Sequence, residues 1–280
     1  MNAWLHTLLA PLQHDFMQHA LLLAALVAVP AALLSCLLVV KGYALLGDAV
    51  AHAVFPGVVL AYMLGLPLAA GAFVAALLCS TLTGYLRARS RIGQDTLMGV
   101  VFSSLFALGL LLHVWIRSEV HLDHILQGDL LGADRADLLQ SAALAVLVTL
   151  ALLLKWRDWL LHAFDPVQAR ISGLHTGALH YGLLVAVALT VVAMLQAVGL
   201  VLALALLITP GATAFLLVRT FGRMLLAAVA VAVAAAVLGV YLSFFIDSAP
   251  APTIVLALGL AFVAALIRTL WRQRRHAALI

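Results

Sequence analysis

The sequence has very little charge for its length. Only 9% of its 280 residues are Asp, Glu, Lys or Arg, whereas 66% are hydrophobic. Soluble domains carry about 25% charged and roughly 45–50% apolar residues, so too few charged side chains are present to cover a water-exposed surface. This composition excludes a soluble globular enzyme and a disordered or fibrous chain. We therefore expect the protein to lie in a lipid bilayer.

Cysteine and lysine are also rare, and their positions exclude two kinds of site. The two cysteines, Cys36 and Cys79, lie inside long apolar segments, which predicts small buried side chains rather than a disulfide framework or a thiolate metal site. The two lysines, Lys41 and Lys155, do not belong to a Gly-x-x-x-x-Gly-Lys-[Ser/Thr] phosphate-binding loop. The sequence therefore predicts no ATP-binding loop of this kind in the chain.

Segments without charged residues predict about nine membrane-spanning helices. Each of five segments has a length that fits one crossing, which takes roughly 17–25 residues: 16–40, 96–116, 138–154, 224–246 and 248–267. Two longer segments should hold two helices each: 49–86, dividing at residues 65–67, and 171–218, dividing near residues 196–199. Lipid offers no partner to an unpaired backbone group, so every span should be helical. The predicted fold is an all-α polytopic membrane protein, with a single transmembrane domain over residues 1–280.

The distribution of basic residues predicts the orientation of these spans. An odd number of spans places the termini on opposite sides, and cytoplasmic loops carry an excess of Lys and Arg. Thirteen of the 15 basic residues fall on one side, and the other two, Arg117 and Arg135, fall on the opposite side. We therefore expect the N-terminus outside and the C-terminus in the cytoplasm.

Residues 1–15 contain no Lys or Arg, so no cleaved signal peptide is expected. Because basic residues follow the span boundaries, the net charge of +4 does not indicate a nucleic-acid partner.

The second span begins with a carboxylate and an imidazole at helical spacing. Asp48 and His52 are four residues apart, so both lie on one face of a helix. These groups bind first-row divalent cations, and ionisable groups at membrane depth usually face the protein interior and mark a transport path. Pro56 has no N–H, so the His52 carbonyl oxygen lacks its usual helical donor beside the ring. The alternative is an Asp48 helix cap at the inner edge and a packed His52.

Further metal ligands have to come from outside this pair, because one Asp and one His are too few for a stable site. Two copies of the chain around a twofold axis would bring together two carboxylates and two imidazoles.

On the predicted outer face, residues 117–137 carry two basic and five acidic side chains, a formal charge of −3. In this segment, His121, Asp123 and His124 are candidates to attract or relay a cation or to contact a partner protein.

Six sequence blocks along almost the whole chain resemble one family. They are residues 41–42 with 47–57, 94–104, 121–126, 163–173, 208–214 and 245–252. The most specific is the Gly-Asp-Ala…His-Ala…Pro-Gly pattern of residues 47–57. In these blocks the chain is similar to the membrane permeases of bacterial zinc, manganese and iron ABC importers, and two of them, 121–126 and 246–252, most resemble the manganese and iron branch. Gln127 departs from the family pattern, in which an aromatic residue is expected.

The resemblance implies a paired permease in the bacterial cytoplasmic (inner) membrane, formed by a homodimer or by two close paralogues. It implies that Asp48 and His52 line the metal pathway at the subunit interface. An extracytoplasmic binding protein would deliver Mn2+, Fe2+ or Zn2+, and two cytoplasmic ATPase subunits, which bind the ATP, would drive alternating access. The chain is then a transport subunit rather than an enzyme, embedded in lipid and without a cofactor of its own.

The longest predicted cytoplasmic segment contains a candidate docking helix for such an ATPase. Asp165 as N-cap and Pro166 in the first turn form a helix start, and Gly173 can end the helix. Residues 167–172 would form about two turns, long enough for a coupling helix. The candidate coupling residues are Asp165, Pro166, Val167, Gln168, Ala169, Arg170 and Gly173. An ordinary amphipathic connector is the alternative.

Two other features of the sequence have open roles. Pro210-Gly211, deep in the seventh predicted span, is expected to interrupt the helical hydrogen-bond ladder, which could line a transport path or form a static kink. Four histidines at the inner boundaries are expected to be interfacial side chains: His162, His175, His180 and His276.

Two other classes of protein fit less well. A proton-coupled secondary metal-ion transporter would use Asp48 and His52, but a proton relay usually has more titratable groups within the membrane. An intramembrane metalloenzyme needs a three-ligand set and a general base, which no predicted span supplies.

Overall fold

The computed structural model describes residues 10–43, 45–116, 128, 130–132 and 134–277. Within these residues the regular structure is entirely helical, as the sequence predicts. A short 3-10 helix at Ala10–Gln13 precedes the first α-helix. The α-helices are α1 (Asp15–Lys41), α2 (Leu46–Met63), α3 (Leu68–Arg89), α4 (Gln94–Ile116), α5 (Arg135–Leu154), α6 (Trp156–Phe164), α7 (Pro166–Ile171), α8 (Thr176–Leu217), α9 (Phe221–Ile246) and α10 (Pro250–Ala277).

Eight helical segments of the described chain are long and apolar enough to cross a membrane. Two of them, Thr176–Leu195 and Ala197–Leu217, lie in α8, and the other six lie in α1, α2, α3, α4, α9 and α10. A ninth crossing is counted if Leu138–Leu154 of α5 and the whole of α6, which meet at a 69° bend, form one span. The described part of the chain therefore has eight or nine candidate spans, as in a polytopic helical membrane protein.

Both predicted divisions of the long apolar segments are confirmed, and a glycine lies at each. α2 ends at Met63 and α3 begins at Leu68, and between them Gly65 has a φ of 66°. Within α8, Gly199 has a φ of 79° and a ψ of 172°, which is not helical. Glycine adopts positive φ without the steric penalty that a Cβ imposes. These two positions therefore let the chain leave helical geometry.

Helices α1 and α8 form the centre of the described bundle. From Ala20 to Leu38 most side chains of α1 are buried, because α8, α9 and α5 pack around this helix. Helices α2 and α3 also pack on α8, and α4 packs on α2 and α3. Many side chains of α4 are exposed. α4 thus lies at the edge of the chain, next to the helix that carries Asp48 and His52.

The interruption expected at Pro210 is bridged by a side chain of α1. α8 remains helical through Pro210, and its departure from helical geometry is at Gly199 instead. The Ser35 hydroxyl donates to the Ile208 carbonyl oxygen and accepts from the Gly211 N–H, both at 2.9 Å. A Cβ at Gly211 would lie 2.5 Å from the Ser35 carbonyl carbon. The hydroxyl therefore takes a place in the hydrogen-bond ladder of α8 where the two helices nearly touch.

Helices α2 and α3 approach each other at two glycines. A Cβ on Gly57 would overlap the Gly71 carbonyl oxygen, and a Cβ on Gly71 would overlap the Gly57 carbonyl oxygen. Each glycine also faces an alanine of the other helix: a Cβ on Gly57 would lie 2.6 Å from that of Ala75, and a Cβ on Gly71 would lie 2.5 Å from that of Ala61. Small residues let helix backbones approach closely in a bilayer. These four residues therefore set the spacing of the α2–α3 hairpin.

The two cysteines are free and buried, as the sequence predicts. The Cys36 thiol of α1 donates to the Met224 carbonyl oxygen of α9 at 3.7 Å. The Cys79 thiol of α3 donates to the Ala49 carbonyl oxygen of α2, also at 3.7 Å. Both cysteines are small packing residues between helices, and Cys79 supports the first turn of α2.

Candidate functional site

Asp48 and His52 lie side by side on α2, as their spacing predicts. Nδ1 of His52 is 3.3 Å from Oδ1 of Asp48 and 3.0 Å from the Asp48 carbonyl oxygen. Asp48 is in the first helical turn, where the helix dipole stabilises a negative charge. At a rise of 1.5 Å per residue, His52 lies about 9 Å along α2. A membrane-spanning helix therefore carries a carboxylate and an imidazole in contact.

The backbone contact determines which nitrogen of His52 is available to a metal ion. A carbonyl oxygen can only accept a hydrogen bond, so Nδ1 donates to Asp48. In the neutral ring, Nε2 then carries the lone pair that a metal ion needs. Oδ1 of Asp48 faces the ring, and a carboxylate has a second oxygen that can bind a cation. The pair is thus arranged to offer one nitrogen and one oxygen ligand.

The alternative interpretation of Asp48 as a helix cap is wrong. The N-cap position of α2 is Leu45, which makes no side-chain cap hydrogen bond. Asp48 lies three residues further along, and its carboxylate contacts His52. The same interpretation also expected His52 to be packed against other side chains. The ring does contact Phe102 and Phe106, but it contacts the Asp48 carboxylate as well.

Two aromatic rings of α4 lie against His52, which the sequence did not predict. The Phe102 and Phe106 ring centroids each lie 5.6 Å from that of the imidazole, at interplanar angles of 42° and 82°. Phe55 of α2 lies 5.8 Å from Phe106. The four-residue spacing of Phe102 and Phe106 places them on one face of α4, but spacing does not reveal which helix that face meets. On this side the apolar rings exclude water from the imidazole, and a less polar surrounding strengthens the attraction between a cation and a carboxylate.

Helix α4 approaches α2 closely beside Pro56. A Cβ on Gly109 would lie 2.8 Å from the Pro56 nitrogen and 2.7 Å from the Phe55 ring. Because proline has no N–H, the His52 carbonyl oxygen lacks its usual helical donor at this turn. The close approach of α4 shields this turn from lipid, where an unpaired carbonyl oxygen would be costly.

The Asp48–His52 pair is only partly covered by its own chain. The His52 and Asp48 side chains are 27% and 30% exposed, and Ser103 and Ser104 of α4 are exposed as well. Among the residues that the structure describes, no three His, Cys, Asp or Glu side chains group together as a metal site. The described chain thus offers two ligand side chains and an open side. An ionisable pair open to lipid is unfavourable, and the expectation that a second subunit covers this side stays a prediction.

The short helix predicted after Asp165 is present as α7. Oδ1 of Asp165 accepts hydrogen bonds from the N–H groups of Val167 and Gln168, both at 2.9 Å. This is the N-cap arrangement that the sequence predicts. Pro166 is the first helical residue, and Gly173 follows the helix with a φ of 80°. Local capping residues therefore determine both ends of the helix.

Helix α7 is attached to the chain by one side and is exposed on the other. Ala169 is fully buried, whereas Val167 and Ile171 are 68% and 74% exposed. Phe164, just before the helix, is 67% exposed, and Arg170 is exposed too. Apolar side chains beside a basic one form a surface suited to a protein partner.

The three outer candidates, His121, Asp123 and His124, lie outside the described residues, as does Gln127. Their role in attracting or relaying a cation therefore stays a prediction from the sequence. The described chain resumes at Gly128, and α5 begins at Arg135.

A partly buried basic cluster, which the sequence did not predict, lies where α1, α6 and α8 meet. Nζ of Lys41 is 3.2 Å from Nε2 of His162, and an ammonium group can only donate, so the ring accepts. The His180 ring centroid is 6.3 Å from that of His162. His162 is 5% exposed, so the expectation of an interfacial side chain is wrong for this residue. Trp159 and His162 are three residues apart and both buried, so they form the inward face of α6. This helical spacing is the feature of the sequence from which the burial of His162 could have been predicted.

Comparison with known proteins relates almost the whole chain to one family. The ABC 3 transport family matches residues 13–269. The chelated iron transport system membrane protein YfeD of Yersinia pestis is 49% identical over 267 residues, covering 95% of this chain and 90% of that protein. The manganese transport system membrane protein MntB of Synechocystis sp. is 42% identical over 262 residues, covering 94% and 86%. Among solved structures, PsaBC from Streptococcus pneumoniae in complex with Fab has a TM-score of 0.83 and 32% sequence identity, covering 93% of this chain and 95% of that one.

Proposed function

Because the chain belongs to the ABC 3 transport family, we propose that it is the membrane permease of an ATP-driven importer of divalent transition-metal ions. Mn2+ and Fe2+ are the favoured substrates, since two relatives are named as manganese and chelated iron transport system membrane proteins. Zn2+ is also compatible with oxygen and nitrogen ligands. The eight or nine apolar spans found among the described residues support a multi-pass location, which we assign to the bacterial cytoplasmic membrane.

The observation that carries this proposal is the Asp48–His52 pair on a membrane-spanning helix with one open side. A second copy, facing this side across a twofold axis, brings together two carboxylates and two imidazoles. This ligand set suits a divalent first-row metal ion. The pair is partly exposed, so an ion can reach it from the open side, and we propose that the site opens to each side of the membrane in turn.

The transport cycle follows from these parts. A binding protein outside the membrane delivers the ion to the outer mouth, and the paired Asp48 and His52 ligands receive it at the subunit interface. Two ATPase subunits in the cytoplasm bind and hydrolyse ATP, and their movement reaches the permease through α7. The site then changes from outward to inward access, so the chain is a transport subunit while the partner performs the hydrolysis.

The proposed orientation places the N-terminus outside and the C-terminus in the cytoplasm. Thirteen of the 15 Lys and Arg residues then lie on the cytoplasmic side, in agreement with the positive-inside rule. In this orientation α7, the α3–α4 connection and the end of α10 face the cytoplasm.

Metal uptake by the complete complex tests the proposed function. The permease, reconstituted with its ATPase and binding protein in vesicles, is expected to accumulate Mn2+ or Fe2+ only when ATP is supplied. Competition by the other ion and by Zn2+ measures selectivity, which we assign mainly to the binding protein, because oxygen and nitrogen ligands alone favour Zn2+ over Mn2+. Uptake that follows a proton gradient without ATP would instead support a secondary transporter.

Substitutions on the exposed face of α7 test its role in coupling. Changing Val167 and Ile171 to Glu is expected to weaken association with the ATPase by about 30-fold, as for a pair of interface residues that together contribute about 2 kcal/mol. Both side chains are mainly exposed, so the fold of the permease should be retained. The measurement is ATPase binding to the purified permease, together with ATP hydrolysis stimulated by the loaded binding protein.

Ile92 provides the matched control for the α7 substitutions. It is 52% exposed in the α3–α4 connection, on the same proposed side of the membrane. Ile92→Glu replaces an exposed apolar side chain with Glu in the same way and adds one negative charge, where the α7 variant adds two. ATPase binding should be retained in this control. Unchanged stimulated hydrolysis in the α7 variant would show that the docking segment lies elsewhere in the chain.

A further inference from the structure

A cleft lined by arginines lies between the end of α8 and the end of α10. Its volume is about 820 Å³, within the range of roughly 300–1,000 Å³ that is typical of small-ligand sites. One wall is the chain that leaves α8, from Phe215 to Arg219, and the other is formed by α10. The Thr269 hydroxyl donates to the Leu216 carbonyl oxygen at 3.2 Å, which joins the two walls. The functional site described above does not include this cleft.

The charge in the cleft has one sign. Arg219, Arg268 and Arg272 all line it. After Asp165, the sequence contains a single acidic residue, Asp247. Asp247 follows the last residue of the 26-residue helix α9. At 1.5 Å per residue, it lies roughly 39 Å from the start of that helix. Among the residues that the structure describes, none of those that line the cleft is Asp or Glu. The three guanidinium groups therefore favour an anionic ligand.

The surroundings of the cleft are apolar on the side of the membrane span. Phe215 is 57% exposed, and Ile267 and Trp271 of α10 are 49% and 63% exposed. A neighbouring cleft of about 540 Å³ includes Ile267 and Trp271 and shares Arg268 and Arg272 with the first. Tryptophan is enriched at the membrane–water boundary, where its ring lies at headgroup level. The arginines thus lie at the place where lipid headgroups are expected to meet the protein.

We propose that this cleft binds the phosphate headgroup of an anionic phospholipid, with the acyl chains along the exposed apolar side chains of α10. Arginine forms paired hydrogen bonds with phosphate oxygens, and basic pockets between membrane helices bind anionic headgroups. Free phosphate shares this chemistry, but it gains nothing from the apolar surface beside the cleft. The lipid connects the end of α8 with α10, so it stabilises this part of the permease.

Native mass spectrometry of the purified full-length permease with its ATPase partner tests this proposal. Phosphatidylglycerol is the anionic probe, and phosphatidylcholine is the neutral comparison. Changing Arg219, Arg268 and Arg272 together to Gln is expected to reduce phosphatidylglycerol binding by about tenfold or more, with little effect on phosphatidylcholine. Changing Arg89, Arg91 and Arg274 to Gln removes the same charge from exposed positions that do not line the cleft, and this control should retain the lipid.

Several outcomes would overturn the proposal. An equal loss in both triple variants would mean that phosphatidylglycerol responds to net charge alone. Displacement of the lipid by inorganic phosphate, beyond the effect of chloride at the same ionic strength, would identify free phosphate as the ligand. Loss of the ATPase with full retention of the lipid would identify the cleft as a protein contact. Should the triple variant fail to fold, the single variants Arg219→Gln and Arg272→Gln are each expected to lose binding by about threefold, and unchanged binding in both would contradict the proposal.

Discussion

Replacing either Asp48 or His52 with Ala is expected to reduce metal uptake by about 100-fold or more, while the permease still assembles with its ATPase. Substitutions of residues that only support a metal ligand already cost roughly 10–100-fold. In the proposed dimer, one substitution in the gene removes two ligands, one from each copy. The measurement is initial uptake of Mn2+ and Fe2+ by the reconstituted complex, with assembly followed by size-exclusion chromatography.

The conservative variants Asp48→Asn and His52→Gln separate metal binding from packing. Both keep the approximate shape of the side chain, but Asn loses the negative charge and Gln loses the ring nitrogen. We expect uptake to be lost in these variants as well, with thermal stability close to that of the unchanged protein. Recovery of uptake in both would mean that the pair only supports helix packing.

Asp15 and His175 provide matched control positions for this experiment. Asp15 is exposed in the first turn of α1, and His175 is exposed at the start of α8. Asp15→Ala and His175→Ala therefore make the same chemical changes at helix starts outside the candidate site. Both controls are expected to retain uptake. A loss in all four Ala variants would contradict a specific role for Asp48 and His52.

The features predicted correctly from the sequence are those that depend on residues close together in the chain. The break between α2 and α3 at Gly65 and the one at Gly199 come from backbone freedom at single positions. The Asp165 cap involves residues two and three positions further on. The Asp48–His52 contact spans a single helical turn. In each case, rules of local geometry are sufficient.

The features that the sequence did not predict require knowledge of which helices are neighbours. The spans are apolar on most faces, so periodicity does not identify the face that each one buries. The sequence therefore could not show that Phe102 and Phe106 lie against His52, that Ser35 bridges the ladder at Pro210, or that His162 contacts Lys41 of α1. These contacts join residues that are far apart in the chain.

The second large effect is expected at Gly57, where α2 and α3 touch. Gly57→Val places a branched side chain where a single Cβ already overlaps the Gly71 carbonyl oxygen and lies 2.6 Å from the Cβ of Ala75. The obstacle is backbone, which no rotamer change can move aside, so the helices must separate. Overpacking usually costs about 1–3 kcal/mol, and we expect about 3 kcal/mol or more here, seen as a lower Tm and a poor yield of assembled permease.

Separation of α2 from α3 should also disturb the candidate site. Gly57 lies five residues after His52 on α2, and the Cys79 thiol of α3 contacts the carbonyl oxygen of Ala49, next to Asp48. Any Gly57→Val protein that still assembles should therefore transport metal poorly. Gly71→Val is expected to have a similar effect, and the double variant should lose less than the sum of the two, because both changes break the same contact.

Gly259 of α10 is the matched control, because nothing lies within 4 Å of a Cβ built there. Gly259→Val introduces the same side chain into another apolar helix and should change the Tm and the uptake only slightly. Nearly equal Tm values for the Gly57 and Gly259 variants would contradict the close approach of α2 and α3. A second outcome is a low Tm for Gly57→Val with normal uptake by the fraction that still assembles. This result would mean that Asp48 and His52 keep their positions without the α3 contact, so that the aromatic neighbours on α4 position the site.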